Sequence, residues 1–273
     1  MIVNGVSKLP LQWVEAYAAY MGDYKFKTGD KIEILANYQG EQVSGYTEIP
    51  APIEFTIDTL VRYTKRESIN YYPNPGEDIW NWDETGKRAI GYLAYGKVDF
   101  KINFKDDPDV ENYYLLNIVT KRDRYDFDKE MTGTDGGVYD FEYNDIVFDN
   151  KNTESLLPKN SFLPIFSDAL INGKDYSLLL TQPKIEKTFL FQGEEIKKGY
   201  AMKPRPSWAV ERYIISLSSI SKDYYLYLKT VEAHRNMIPV FSEPVMIHSN
   251  IKNGVGIVGS LKGITKNSSY SSF

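Results

Sequence analysis

Cysteine is absent from the chain. Disulfides, thiolate nucleophiles, zinc ribbons and iron–sulfur ligation are therefore all excluded. Histidine occurs only twice, as His234 and His248, and neither belongs to an H-E-x-x-H motif that would set two imidazoles on one helix face for a metal. No G-x-S-x-G elbow, P-loop or kinase signature is present. A surplus of positive charge is missing as well: the formal net charge is −5, whereas a general nucleic-acid binder carries a basic patch or stripe. No apolar run approaches the length needed to cross a bilayer as a helix, so the body is not expected to span a membrane.

What is present is aromatic. The 273 residues include 22 Tyr and 13 Phe, with 42% hydrophobic and 25% charged residues, a globular composition leaning toward strands, where rings pack well on a pleated surface. The length suffices for one large domain or two ordinary ones.

Residues 11–21, LQWVEAYAAYM, fit either a short helix or an aromatic strand with Trp13, Glu15 and Tyr17 on one side. GDKIEILANY and QVSGYTEIP flank a QGE turn and read as a hairpin ending at Pro50. Pro50, Ala51 and Pro52 form a stiff connector, so the division expected is a small N-terminal β module over 1–50 and a β-sandwich domain over 51–273. Ile53, Phe55 and Ile57 alternate with polar residues, and Val98, Phe100, Ile102 and Phe104 alternate with Asp99, Lys101, Asn103 and Lys105, the period of a half-buried strand. NYYLLNIVTK is expected to pair with that second strand across a DDPDVE turn, and FSDALINGKDYSLLLT to form a hairpin about Asn172-Gly173. The KPRPSW stretch is expected to loop out. SSYSSF reads as a tail.

The best-specified segment is 210–259. Tyr213, Ile215 and Leu217 define a strand, and a helix over about 221–235 follows. Ser221 suits its N-cap, and Ile220 with Tyr225 suits a hydrophobic staple. Tyr224, Leu228 and Val231 continue one apolar face, while His234 and Arg235 suit the negative C-terminal end, before Asn236 as left-handed cap and Pro239 as stop. A strand is expected from Pro244 to Ser249. The fold class is thus all-β, a β-sandwich of the immunoglobulin or fibronectin-III kind with one helix near the C-terminus and a small N-terminal β module.

SSISKDYYLYLKTVE, FSEP and SNIKNGVGIVG resemble the C-terminal end of the domain of unknown function 4249 family, cell-envelope proteins of Bacteroidota. FKDDPDVENYYLLNI and FSDALINGKDYSLLL resemble two further blocks of that family, in the same order, so that the resemblance covers roughly residues 43–259. It implies a lipid-anchored, secreted protein of the envelope, at the periplasm or cell surface, beside an outer-membrane transport system. It carries over no catalytic residue. MIVNGVSKLP has neither a basic n-region nor an adequate apolar h-region, so the chain is expected to be a mature fragment whose first module is reduced or truncated.

Three features were weighed as sites. Gly254, Gly256 and Gly259 match G-x-G-x-x-G formally, but no helix and acidic residue can follow in the space that remains, so the glycines read as a bulge or close backbone approach in a terminal strand. Between Asp123 and Asp149 nine acidic residues stand against two basic ones. Asp126, Asp128, Glu130 and Asp135 there offer oxygen ligands to calcium, although Met131 and Gly137 break the EF-hand template and a solvated acidic insertion is the plainer reading. Trp80 and Trp82, with Tyr71 and Tyr72, offer rings to a glycan, or else face a core. The reading that follows is a non-enzymatic binding or accessory component near an outer-membrane transporter, needing no cofactor. Its rivals are a calcium-dependent adhesion or glycan-binding module and a carboxylate-dependent glycoside hydrolase.

Overall fold

The computed structural model describes residues 1–71, 88–125, 131–137, 141–148, 163–190, 208–235 and 245–271. Short strands β1 (Ile2–Val3) and β2 (Ser7–Lys8) come first, then the small hairpin β3 (Gln12–Val14) and β4 (Ala19–Met21). Next are β5 (Lys31–Tyr38) and β6 (Glu41–Glu48), joined by Gln39 at φ 50° and Gly40 at φ 87°, the two positive angles a tight hairpin turn needs. The long strands β7 (Phe55–Tyr71), β8 (Arg88–Lys105) and β9 (Tyr113–Tyr125) are followed by β10 (Met131–Gly137), β11 (Ile165–Ser167) and β12 (Asp175–Leu190). Strand β13 (Trp208–Ile220), helix α1 (Lys222–Arg235), β14 (Ile251–Lys252) and β15 (Leu261–Ser271) complete the chain.

The described residues form an all-β sandwich with one α-helix. A three-stranded sheet, β12-β8-β7, faces a four-stranded one, β10-β9-β13-β15, with β11 also on β9, and every ladder is antiparallel. The alternation read from sequence sets the core between them: Val98, Phe100, Ile102 and Phe104 from one sheet meet Tyr213, Ile215 and Leu217 from the other. Burying each such side chain contributes about 1.5–3 kcal/mol. One flank is closed where Thr59 Oγ1 on β7 meets Ser268 Oγ on β15 at 2.6 Å. The other is covered by residues 141–148, through reciprocal backbone bonds between Glu142 and Thr181 of 2.8 and 3.1 Å.

Two expected hairpins are instead crossings between the sheets. β8 and β9 do not pair with each other, and neither do β11 and β12: each connection leaves one sheet and enters the other. The crossings lie back to back. Asp106, 1% exposed, accepts from Gly173 N at 2.9 Å and from the Tyr114 hydroxyl. Asp168, 2% exposed, accepts from Asn112 N at 2.7 Å. Backbone bonds Asp106 N to Lys174 O (3.1 Å) and Asp168 N to Asn112 O (3.0 Å) complete the exchange. Burial pushes the Asp168 carboxyl above its ordinary range, against the Asn112 amide and with help from the nearby Asp106 charge.

The C-terminal region departs from expectation in three places. Ser221 stands at the N-cap, its carbonyl taking Tyr225 N at 3.0 Å, but its hydroxyl is engaged by Ser260 N at 3.2 Å. Residues 245–250 form no strand, because side chains rather than a ladder hold them: His248 N donates to Thr230 Oγ1 at 2.9 Å, and Asn250 Oδ1 accepts from Val258 N at 2.9 Å. Ser268–Ser271, read as tail, extend β15 opposite Val210–Tyr213, since a backbone ladder does not require apolar side chains. Ile220, Tyr224, Tyr225 and Leu228 do gather in one cluster with Tyr113 and Ile165, as the staple and helix face implied. Asn236, Pro239 and the KPRPS stretch lie outside the described residues.

At the level of Gly96 on β8 both neighbouring strands change register, β7 between Tyr63 and Lys65 and β12 between Gln182 and Ile185. A methyl group on Gly96 would lie 2.2 Å from Arg62 O. Gly96→Ala therefore lowers the urea-unfolding free energy by about 1–3 kcal/mol, whereas Gly136→Ala, with nothing within 4 Å, changes it by less than about 0.5 kcal/mol. A second expectation concerns pH. A carboxyl whose folded value is raised binds its proton more readily folded than unfolded, so its contribution to stability falls as pH rises from the ordinary aspartate range through the folded value. Denaturant titrations of wild type and Asp168→Asn across that window will show the wild type gaining on the variant as pH is lowered; a constant difference disproves the assignment.

Candidate functional site

Strands β3 and β4 form a two-stranded sheet of their own, paired with no other described strand. Neither reading open for 11–21 holds as a whole: the segment is a small hairpin, and Glu15 and Tyr17, expected beside Trp13 on one strand face, lie in its turn because the chain reverses there. Glu15–Tyr17 make one turn of 3₁₀ helix, Ala18 takes a left-handed conformation at φ 46°, and its N–H returns to Glu15 O at 3.1 Å. The register sets Trp13 opposite Tyr20 and Val14 opposite Ala19. Since successive side chains alternate, Val14 and Ala19 turn to the half-buried side and Trp13 and Tyr20 to the other.

Trp13 is 50% exposed, Tyr20 67% and Tyr17, at the tip, 72%. The Trp13 and Tyr20 rings meet edge to face, centroids 5.2 Å apart and planes at 66°. The indole N–H donates to Glu15 Oε2 at 2.7 Å. The result is an ordered, solvent-facing aromatic corner with a carboxylate at its edge.

The hairpin leaves the sheet β14-β6-β5-β1-β2, and that sheet is bound to the sandwich by residues from the far end of the chain. β14 pairs with β6, Ile251 opposite Gly45. Asn250 Nδ2 donates to Tyr46 O and Val258 O, both at 2.9 Å. Buried Ser260 donates to Glu48 O at 2.5 Å and accepts from Thr47 Oγ1 at 3.0 Å. Inside the sheet, buried Asp30 accepts from Lys27 N at 2.7 Å and from Asn4 Nδ2 at 3.0 Å, and these bonds hold its carboxyl below the usual range.

A family model described as Domain of unknown function (DUF4249) matches residues 4–266. The chain belongs to the DUF4249 family. No curated protein and no solved structure matches it. The match takes in the aromatic hairpin, the N-terminal sheet except β1, and all the segments that resembled the family in sequence.

The aromatic corner is not among the sites read from sequence, which are placed as follows in this DUF4249 protein. Asp126, Asp128 and Glu130 lie outside the described residues, and Asp135 is on β10 opposite Arg122. Among the described residues, no group of three or more histidine and acidic side chains is arranged to hold a metal ion. Trp80, Trp82 and Tyr72 also lie outside the described residues, and Tyr71 ends β7 opposite Arg88. The glycines of NGVGIVG serve close approach, in a loop between β14 and β15: a methyl on Gly259 would sit 2.7 Å from Tyr224 Cγ, and Gly256 has φ 139°. His248 has a partner that sequence did not reveal, its Nε2 lying 2.8 Å from Asp223 Oδ1 in the first turn of α1. No helix among the described residues is long and apolar enough to cross a membrane.

The outer face of the β12-β8-β7 sheet holds a shallow cleft of about 460 Å³, lined by Asp58, Leu60, Arg62, Lys97, Asp99 and Lys101 among others. Its carboxylates are engaged: Asp99 by the Thr181 hydroxyl at 2.8 Å and by Arg62, Asp58 by Asn103 Nδ2 at 2.9 Å. The aromatic corner is better suited to contact, since rigid Trp and Tyr rings offer large area at little entropic cost. It is also separable from folding. Trp13→Ala and Tyr20→Ala each lower the unfolding free energy by no more than about 1 kcal/mol, read from denaturant midpoints, because the hairpin contributes nothing to the sandwich core.

Proposed function

We propose that this protein is a non-catalytic binding component of the cell envelope, an accessory to an outer-membrane transport system, and that it engages its partner through the Trp13–Tyr20 face. The observation that carries the binding role is the hairpin itself, with three aromatic side chains held half or more exposed. Single exposed apolar residues are ordinary; two packed rings left half or more exposed on one face of a hairpin suit recognition. The envelope and the transport system rest on the family resemblance.

The buried carboxylate pair offers nothing to a hydrolytic reading. Asp106 and Asp168, which the fold brings together, are both almost fully enclosed and bonded to backbone amides, so they serve the architecture. The test uses the chain and its Trp13→Ala/Tyr20→Ala variant as baits against detergent-solubilised envelope from the native host. An identified envelope component retained by the wild type and lost from the folded double variant is the expected result. Equal retention by both baits disproves the role of the hairpin.

A further inference from the structure

The geometry points to a neutral oligosaccharide as the ligand of the Trp13–Tyr20 corner, an inference that rests on the binding role proposed above. Three features select this chemistry. The two rings stand at 66° to one another, so they form a corner instead of a flat apolar sheet. A pyranose ring, with C–H groups on its faces and hydroxyls around its rim, fits an aromatic surface bordered by polar atoms.

Glu15 is the second feature. Its carboxylate accepts the indole N–H at 2.7 Å and so lies at the edge of the Trp13 ring, where hydroxyl groups of a stacked sugar would donate to it. The same carboxylate disfavours the alternatives. A hairpin entering a lipid interface would carry that charge with it, against the preference of such surfaces for basic flanks, and the formal charge of −5 opposes an anionic membrane. An acidic sugar would meet like charge. The third feature is the Tyr20 phenol, well exposed, which adds a hydroxyl donor and acceptor to the corner, while the aliphatic Val14 and Ala19 face the other way.

The probes are an array of neutral oligosaccharides and the neutral polysaccharide fraction of the host envelope, with vesicles of zwitterionic and of anionic phospholipid as separate arms. Binding is followed by titration calorimetry and by the indole N–H resonance assigned to Trp13. The expected result is saturable binding of one or more neutral glycans with a shift of that resonance, weakened about tenfold or more by Trp13→Ala, as for loss of a hot-spot residue. Glu15→Gln keeps the carbonyl acceptor and should weaken binding less than Trp13→Ala. Absence of binding to the array and to the host polysaccharide, or binding that Trp13→Ala leaves unchanged, overturns the inference. Hairpin-dependent attachment to vesicles, or hairpin-dependent retention of an envelope protein with no glycan bound, overturns the sugar while leaving the binding role of the hairpin intact; absence of glycan binding together with equal retention by wild-type and double-variant baits removes both.

Discussion

The sandwich depends on a reciprocal exchange of carboxylates between its two sheet crossings. Asp106 reaches from the first crossing to an amide of the second, and Asp168 reaches from the second to an amide of the first. Buried backbone amides at a chain reversal must be satisfied, and water is excluded there. A carboxylate does this strongly, because a hydrogen bond to an ionised acceptor exceeds a neutral one. The cost is a charge taken out of water, visible in the upward push on Asp168. The exchange fixes where β8 hands over to β9 and β11 to β12, and hence which faces of Phe104, Tyr114 and Phe166 meet in the core.

A second constraint ties the ends of the chain together. Asn250 and Ser260 bond to the backbone of β6, and β14 adds to the same sheet, so the N-terminal sheet is assembled from residues near both ends of the chain. Gly259, pressed on the Tyr224 ring, lets the connecting loop lie against α1, and His248 meets Asp223 on the same helix. The N-terminal sheet is therefore anchored to the sandwich, and the aromatic hairpin lies between β2 and β5 in the chain.

Much of the fold was legible from period alone. The alternations at 98–104 and 213–217 located the two central strands and their buried faces, and the aromatic and branched residues at 220, 224, 225 and 228 located the helix face. Pairing was less legible. The DDPDVE turn and Asn172-Gly173 are strong turn signals, but a turn signal reports a reversal of direction and does not say whether the next strand joins the same sheet. The Ser- and Thr-rich end of β15 gave no apolar pattern because it pairs through its backbone at the margin of the core. The candidate site was not legible: residues 11–21 fit either a helix or a strand, and neither reading says that Trp13 and Tyr20 pack together and face solvent, because exposure is set by what the rest of the fold leaves uncovered.

Composition and periodicity determined by themselves that this is an all-β protein with one late helix, free of thiol chemistry and acidic overall, and its ordered blocks pointed to the family. These are local properties, since a strand's alternation is set by residues two apart and a helix face by residues three and four apart. Tertiary structure decided which strands share a sheet, that Asp106 and Asp168 are a lock, that His248 has a partner, and that Trp13 and Tyr20 look outward. Each of those rests on contacts between residues far apart in the chain, among them Asp106 with Gly173 and Ser260 with Glu48, whose pairing is selected by the burial of the whole core and is written in no single stretch.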